Sequence, residues 1–316
     1  MQVAYGVTGS GKALIFLPGV FYHVQLAWQY PGLKEWMEGL AKRFRLIQID
    51  PRGTGMSSRN VTDDHVREDY QCDLEAVIDR LKLDRFILFA ASRGVDIAVD
   101  YCLQHAGKVE ALLLGTSGRG GAPAVFETVP HQNWEVFLHL IVPRDRSHEA
   151  QRMVELSREA SDARNFALRW RALGNDHGRG LSELSLPTLV MHAREYALTP
   201  VEEGMKVAQR CGAQLVVLDG SDPWGDSEQG LAAIEAFLAD VLPEVDVEPT
   251  NADGLSPREL EVLALIAVAK SNPQIALELA LSINTVQRHV SNILAKTGLA
   301  NRTEAAVYAR DRGIRN

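Results

Sequence analysis

The sequence is short of cysteine, of positive charge and of long apolar runs, and each shortage closes off a class of protein. Its three cysteines, Cys72, Cys102 and Cys211, are an odd set without metal-ligand spacing. No disulfide framework or zinc site follows from them, and they read as reduced thiols in apolar surroundings. Neither a metal nor a cofactor is expected. Lys and Arg number 33 against 41 Asp and Glu, a formal net charge of −8, which excludes nucleic-acid binding over the whole surface. The early apolar run Ala13–Val20 is far too short to cross a bilayer, and no charged segment, apolar stretch and cleavage site follow one another at the N-terminus. A cytoplasmic chain with no membrane partner is expected.

What is present is an uneven charge and enough apolar residues, 46% of 316, for a substantial core and two domains. Residues 250–316 hold 8 Lys and Arg against 6 Asp and Glu, leaving 25 against 35 in residues 1–249. An acidic body with a mildly basic tail points to the tail as the part that meets nucleic acid. The stretch "GVTGSGKA" at 6–13 has the spacing of a phosphate-binding loop, but Ala13 replaces the magnesium-binding hydroxyl and a strand-like run follows instead of a helix. It reads as a hairpin turn.

Strand-like runs recur at 13–17, 44–50, 86–90, 111–115, 188–193 and 214–220, with amphipathic helical segments such as 73–81, 95–105 and 231–242 between them. This alternation predicts a mostly parallel sheet covered on both faces. The gap between Leu114 and Leu189 holds Trp134, Phe137, Phe166 and Trp170 among many charges and predicts a helical insertion over one edge of the sheet. "PEVDVEPTNADG" at 243–254 is acidic, proline-containing and aperiodic, hence a linker.

Beyond it, "LSPRELEVL" carries a capping box with proline at the first helical position. Asn272 before Pro273, Ser282, and Asn301 with Glu304 offer three more caps, and Gly298 and Gly313 fall where helices should stop. Val286, Val290, Ile293 and Leu294 form one apolar stripe on the third helix, leaving Gln287, Arg288, Ser291 and Lys296 off it. A short helix, a tight turn and a helix with a polar outer face have the form that enters a major groove. The stretch with "SNPQIA" and "INTVQRHVSNILAKTG" resembles the LuxR-type helix-turn-helix domain over residues 255–316. The resemblance implies four helices, double-stranded DNA as partner, and a last helix that often pairs two protomers into a homodimer. It also puts Gln287, Arg288 and Ser291 at base edges, with Thr285, His289 and Lys296 orienting the helix or touching phosphates. His289 has a second reading, as a packing or capping residue. Gln287 stands where the family usually has a basic residue, and Ala269 where it has glycine. Glutamine can still pair with adenine, so sequence preference and salt dependence change more than binding itself.

Residues 1–242 resemble the α/β-hydrolase superfamily in "LPGVFYH", "DPRGTGMSSR", "AASRG" and "LPTLVMHARE", with a cap at about 119–185. The fold class is therefore α/β, a hydrolase-like sheet with a helical cap, followed by a small all-α domain. The resemblance places a serine on a sharp strand-to-helix turn, here Ser92, with Ala90 replacing the first glycine. A serine hydroxyl needs a base, usually oriented by a carboxylate. The acid position holds Tyr196, with Glu195 adjacent, and the base position holds Pro223 or Trp224. Ser92 thus reads as a vestigial nucleophile and no catalytic set is expected. A relocated base remains open at His23, His192, His131 or His139. Arg93 either charges the pocket or pairs with a surface carboxylate, the second being the expectation. A small apolar or aromatic ligand would meet Phe21, Tyr22, Ser92, Arg93, Trp134, Phe137, Trp170, Tyr196 and Trp224, with Trp28 and Phe166 also among the walls.

The function expected is a ligand-responsive transcriptional regulator, with contact to the transcription machinery a further partner. Two other readings stay open: an active serine esterase or lactonase fused to a DNA-binding domain, and a ligand-free dimerisation scaffold.

Overall fold

The computed structural model describes residues 1–19, 21–62, 66–115, 125–140, 148–173, 180–196, 199–242, 255, 257–268, 270–279, 283–312 and 314. The chain divides into two compact units, Met1–Asp246 and Val247–Asn316. The linker expected at 243–254 lies outside the described residues, as do Ser256, Ala269, Ser282 and Gly313.

The first unit is built on seven described strands: β1 (Ala4–Thr8), β2 (Ala13–Leu17), β3 (Arg45–Asp50), β4 (Phe86–Ala91), β5 (Val109–Gly115), β6 (Thr188–Ala193) and β7 (Gln214–Leu218). They form one sheet in the order β1-β3-β2-β4-β5-β6-β7, parallel except for β1, which runs antiparallel to β3. Strands β2, β4 and β6 are buried at every residue, the burial expected of parallel strands covered on both faces. Alternate side chains go to opposite cores. Ile15 and Leu17 join α2 (Val66–Leu81) and α3 (Gly94–Gln104), while Leu14 and Phe16 join α1 (Pro31–Arg43) and α9 (Ser227–Val241).

The glycine-rich turn at 9–12 is not a hairpin. Strands β1 and β2 both pair with β3 and lie on either side of it, so the turn has to cross the strand between them. A Cβ on Gly9, whose φ is +80°, would sit 2.1 Å from the Ala41 carbonyl oxygen, which is why glycine stands there.

The insertion between β5 and β6 folds as α4 (Val125–Gln132), α5 (Trp134–Leu140), α6 (His148–Ala160) and α7 (Ala163–Ala172). It covers the carboxyl ends of central strands rather than an edge of the sheet. The joint between α6 and α7 is fastened to the loop after β3: Gly55 N donates to Ala160 O at 2.8 Å, Arg59 Nη2 to Glu159 O at 2.6 Å and Ser161 Oγ to Gly53 O at 3.3 Å. The three cysteines also divide differently from expectation. Cys102 is buried and Cys211 half-buried, but Cys72 is exposed because it lies on the outer side of α2.

The second unit consists of α10 (Pro257–Ala267), α11 (Asn272–Glu278), α12 (Ile283–Thr297) and α13 (Arg302–Asp311). Leu255, Val262, Leu263, Ile266, Ile275, Val286, Ile293, Ala305 and Ala309 close its own core. The cap of α11 is Ser271, one residue before the expected Asn272, since Ser271 and Gln274 form the capping box and Pro273 sits in the first turn. Asn301 caps α13 as expected, accepting from Glu304 N at 3.0 Å. Among the described residues no helix is long and apolar enough to cross a membrane.

Candidate functional site

Strands β2 and β4 are neighbours, but the chain leaves them toward opposite faces, to α1 and α3 respectively. Where adjacent parallel strands part in this way a crevice opens at their carboxyl ends. The loop after β2 and the turn Ser92–Arg93 occupy it. Ser92 is half-buried with φ of +51°, one of two described non-glycine residues at positive φ. A left-handed residue with a Cβ costs about 1 kcal/mol or more, so the turn is held by its surroundings. A Cβ on Gly94 would lie 2.7 Å from Leu17 O and 2.8 Å from Pro18 O, and one on Gly19 would lie 2.9 Å from Ser92 Cβ. The loop after β2 is therefore pressed against the serine turn from both sides. Ala90, in place of a glycine, is wholly buried within β4.

The expected acid and base positions are brought together around Asp222, a residue the sequence reading passed over. Its Oδ1 accepts from Trp224 N at 2.7 Å and Gly225 N at 3.1 Å. Burial, then the Asp222 charge, pushes the Tyr196 phenol well above its ordinary value, so Tyr196 is a neutral hydroxyl. Trp224 leans on Phe16, ring centroids 5.7 Å apart. The run Asp222-Pro223-Trp224-Gly225 was the available signal for this side-chain-capped turn. Glu195 is exposed.

Of the histidines that could supply a relocated base, the described ones are engaged elsewhere. His192 is wholly buried against α8 (Val201–Cys211), where Nε2 bonds Thr199 O at 2.9 Å. Gly204 leaves room for its ring, since a Cβ there would lie 2.6 Å from Nδ1. Burial holds the His192 imidazole below its ordinary value, hence neutral. His23 Nδ1 accepts from Gln25 N at 3.2 Å and Leu26 N at 3.4 Å. His139 is exposed and bonds Glu135 O at 2.7 Å, while the His131 side chain lies outside the described residues. Among the described residues no hydrogen bond reaches Ser92 Oγ.

Of the expected aromatic walls, Phe21, Trp134, Phe137, Phe166 and Trp170 gather into one cluster, joined by Phe126, while Trp28 and Trp224 pack against the main core. Phe21 stacks on Phe166 at 5.0 Å, Phe166 on Trp170 at 5.6 Å, and the Arg93 guanidinium lies 3.7 Å over the Trp170 ring. This ladder runs from the loop after β2, through α7, back to the serine turn. Arg93 is thus not a surface residue. It is 7% exposed and donates to Leu173 O at 2.9 Å, because the cap encloses it. Tyr22 is not a wall either: it is wholly buried in the main core, bonded to Gln48 and donating to Met37 Sδ at 3.6 Å. Trp28 Nε1 reaches the same Gln48 at 3.1 Å.

Arg169 was missed, for a cap arginine gives no sign in sequence that it will be buried. It is 1% exposed and donates to Gly19 O at 3.0 Å, with its guanidinium 5.4 Å from the Tyr70 ring. Asp50 lies within its electrostatic reach, and the Asp50 carboxylate accepts from Val24 N and Met56 N, both at 2.9 Å. Burial raises the Asp50 carboxyl above its ordinary value against these bonds. Among the described residues no group of His, Cys, Asp and Glu is arranged to hold a metal.

In the second unit, Gln287 and Ser291 are exposed on α12 and His289 is half-buried. The side chains of Thr285 and Arg288 lie outside the described residues. Lys296 Nζ bonds Glu259 Oε2 at 2.6 Å, and that carboxylate is 2% exposed. Lys296 therefore ties α12 to α10.

The model of the luxR family of bacterial regulatory proteins matches residues 253–309, and the model of the alpha/beta hydrolase fold matches residues 12–133. The chain joins a LuxR-family domain to an α/β-hydrolase-fold domain. Its LuxR-family domain is 51% identical over 57 residues to the transcriptional regulatory protein LiaR of Bacillus subtilis, covering 18% of this chain and 27% of that protein. A longer match, 36% identical over 126 residues, is to the uncharacterized transcriptional regulatory protein YhcZ of the same organism, covering 39% of this chain and 53% of the relative. The chain thus spans about a quarter to a half of these relatives. The hydrolase-fold domain is similar to a bromoperoxidase from Bacillus anthracis (19% identity, TM-score 0.64, 75% of this chain and 95% of that one). It is similar also to an enol-lactonase from Burkholderia xenovorans (20%, TM-score 0.59, 78% and 95%). At these identities the likeness is one of fold.

Proposed function

We propose that this protein is a ligand-responsive transcriptional regulator whose hydrolase-fold domain, residues 1–242, binds a small apolar or aromatic molecule without hydrolysing it. The LuxR-family domain, residues 255–316, binds double-stranded DNA in the cytoplasm as part of a homodimer. The observation that carries this reading is Ser92, seated on a strained turn with no proton acceptor bonded to it among the described residues. On this reading Tyr196 stands at the acid position and Pro223 or Trp224 at the base position, and His23 and His192 are engaged by the backbone. Proline offers no acceptor in its ring and an indole N–H is only a donor, so neither Pro223 nor Trp224 can take the serine proton.

The ligand would enter beside Ser92 and Arg93, beneath the ladder of Phe21, Phe166 and Trp170, with Trp134 and Phe137 behind it. Arg93 belongs to the serine turn and to the cap contact at once, so a ligand that displaces Trp170 changes how the cap is held. Switching requires that the ligand bind the two states with different affinity. On α12, Gln287, Arg288 and Ser291 would read base edges, with Thr285 and His289 orienting the helix and Lys296 acting through Glu259.

One observation favours a second reading. The strained turn and its close contact with Gly19 persist although they cost stability, as they would in a slow esterase or lactonase. A serine-reactive fluorophosphonate followed by intact mass, with Ser92→Ala as control, separates the two. The regulator reading expects no adduct at Ser92. A rapid adduct that Ser92→Ala abolishes would replace it with a hydrolase that also regulates transcription.

A further inference from the structure

Among the described residues of the second unit, the large apolar side chains that stand most exposed are Val268, Leu277, Ile283 and Val307. Only Ile283 belongs to α12, where it is the first residue of the helix. It is 46% exposed and does not join the core that Val286, Val290, Ile293 and Leu294 build from the same helix. A single exposed isoleucine is ordinary on a protein surface, and nothing in its immediate sequence draws attention to it. Its position on the helix does.

Ile283, Gln287 and Ser291 follow one another at intervals of four residues, so their side chains form one row along the helix. All three are exposed, and the row runs alongside the stripe of Val286, Val290 and Ile293 that packs into the core. In a helix-turn-helix domain the N-terminal part of the second helix is the part that reaches base edges. Both α11 and α12 lie within residues 253–309, which match the luxR family model. The row proposed above to read bases therefore begins one turn before Gln287, with a side chain that can neither donate nor accept a hydrogen bond.

We infer that Ile283 is a specificity-determining residue that packs on the C5 methyl group of a thymine. Of the four bases only thymine presents a methyl group in the major groove, and apolar contact is how such a group is read. Four residues of helix advance by about 6 Å, and successive base pairs by about 3.4 Å. The thymine is therefore expected within about two base pairs of the adenine that Gln287 reads, and the partner of that adenine is itself a candidate. Burying one methyl-sized group corresponds to about a fourfold gain in affinity. The inference rests on the reading of α12 as the helix that meets DNA, and it adds to the polar contacts of that reading an apolar one.

The test begins with the full chain selecting from a pool of random-sequence duplexes. Affinity for the enriched duplex is then measured by fluorescence anisotropy with each thymine in turn replaced by deoxyuridine, which lacks only the methyl group. At one thymine near the adenine whose preference Gln287→Ala abolishes, uracil should weaken the wild type about fourfold. Ile283→Ala should bind the thymine and uracil duplexes alike, at the level of wild type on uracil, so that the two losses do not add. Ile283→Val, which keeps a branched apolar surface, should retain most of the difference, and Gln287→Ala should retain it fully. Melting curves of both Ile283 variants should match wild type, since the position lies outside the core. Uracil tolerated at every position, or a uracil penalty that survives in Ile283→Ala, would overturn the inference and leave the DNA reading standing. Failure to enrich any sequence would overturn the reading of α12 and this inference with it.

Discussion

A buried imidazole makes the stability of this protein depend on pH in a direction set by its surroundings. His192 is wholly enclosed, and burial is the largest influence on it, lowering its pKa from the ordinary 6.5. In the unfolded chain it takes up a proton near 6.5, and in the folded chain only at lower pH. Between those two values the unfolded state holds more protons, so stability falls as pH falls through that window, by up to about 1.4 kcal/mol per pH unit. His192→Gln removes the titration while keeping an amide donor for Thr199 O. Urea denaturation across this range should show wild type losing stability below pH 6.5 more steeply than the variant; parallel curves would mean that His192 is not held neutral. At this scale the sequence was partly legible. The turn that carries Ser92 was readable because a motif fixes its place between strand and helix. Arg93, Arg169 and Tyr22 were not, because whether a long or amphipathic side chain is enclosed depends on what the cap and the neighbouring strand bring over it.

At the scale of elements, the junction of β4 and α3 stores strain that can be measured. Ser92 holds φ at +51°, and Gly94 sits against two carbonyl oxygens of the loop after β2. Ser92→Gly should therefore stabilise the domain, by up to about 1 kcal/mol after the added freedom of the unfolded chain is counted. Gly94→Ala should destabilise it by about 2 kcal/mol or more, since the new methyl meets backbone that cannot rotate away. Ser92→Ala leaves φ unchanged and should fall between them. A loss of stability in Ser92→Gly would show that the turn is not strained in solution. Six of the seven strands were legible as continuous apolar runs, whereas β1, with its half-exposed "AYGVT", has no such run and forms because β3 offers it an edge. The hairpin expectation failed for the same reason: turn chemistry is local, but the choice of partner strand is not. The cap was legible as helical, yet its seat over the strand ends is fixed by backbone bonds to Gly53 and Gly55 that leave no pattern in the cap sequence itself.

The whole molecule carries its charge in two opposed parts, and this bears on the DNA binding proposed for it. Residues 1–249 hold 25 Lys and Arg against 35 Asp and Glu, while residues 250–316 hold 8 against 6. Phosphate contacts by the tail would make affinity fall with salt, but repulsion between the acidic body and DNA would also be screened by salt, and the two effects would oppose each other. The Debye length is about 30 Å at 0.01 M ionic strength and about 10 Å at 0.1 M, so any repulsion from the body would be felt far more at the lower value than at the higher. The tail packs a core of its own around Val262, Ile275, Val286 and Ile293, which makes residues 250–316 a fair comparison once circular dichroism confirms their helices. On DNA of arbitrary sequence, the fragment should bind more tightly than the full chain at low salt, the two should converge near about 0.1 M, and the full chain should show the shallower dependence of log affinity on log salt. Identical slopes would mean that the acidic body stands clear of the DNA. A steeper slope for the full chain would mean that the body brings basic contacts of its own, and the tail alone would no longer account for DNA binding.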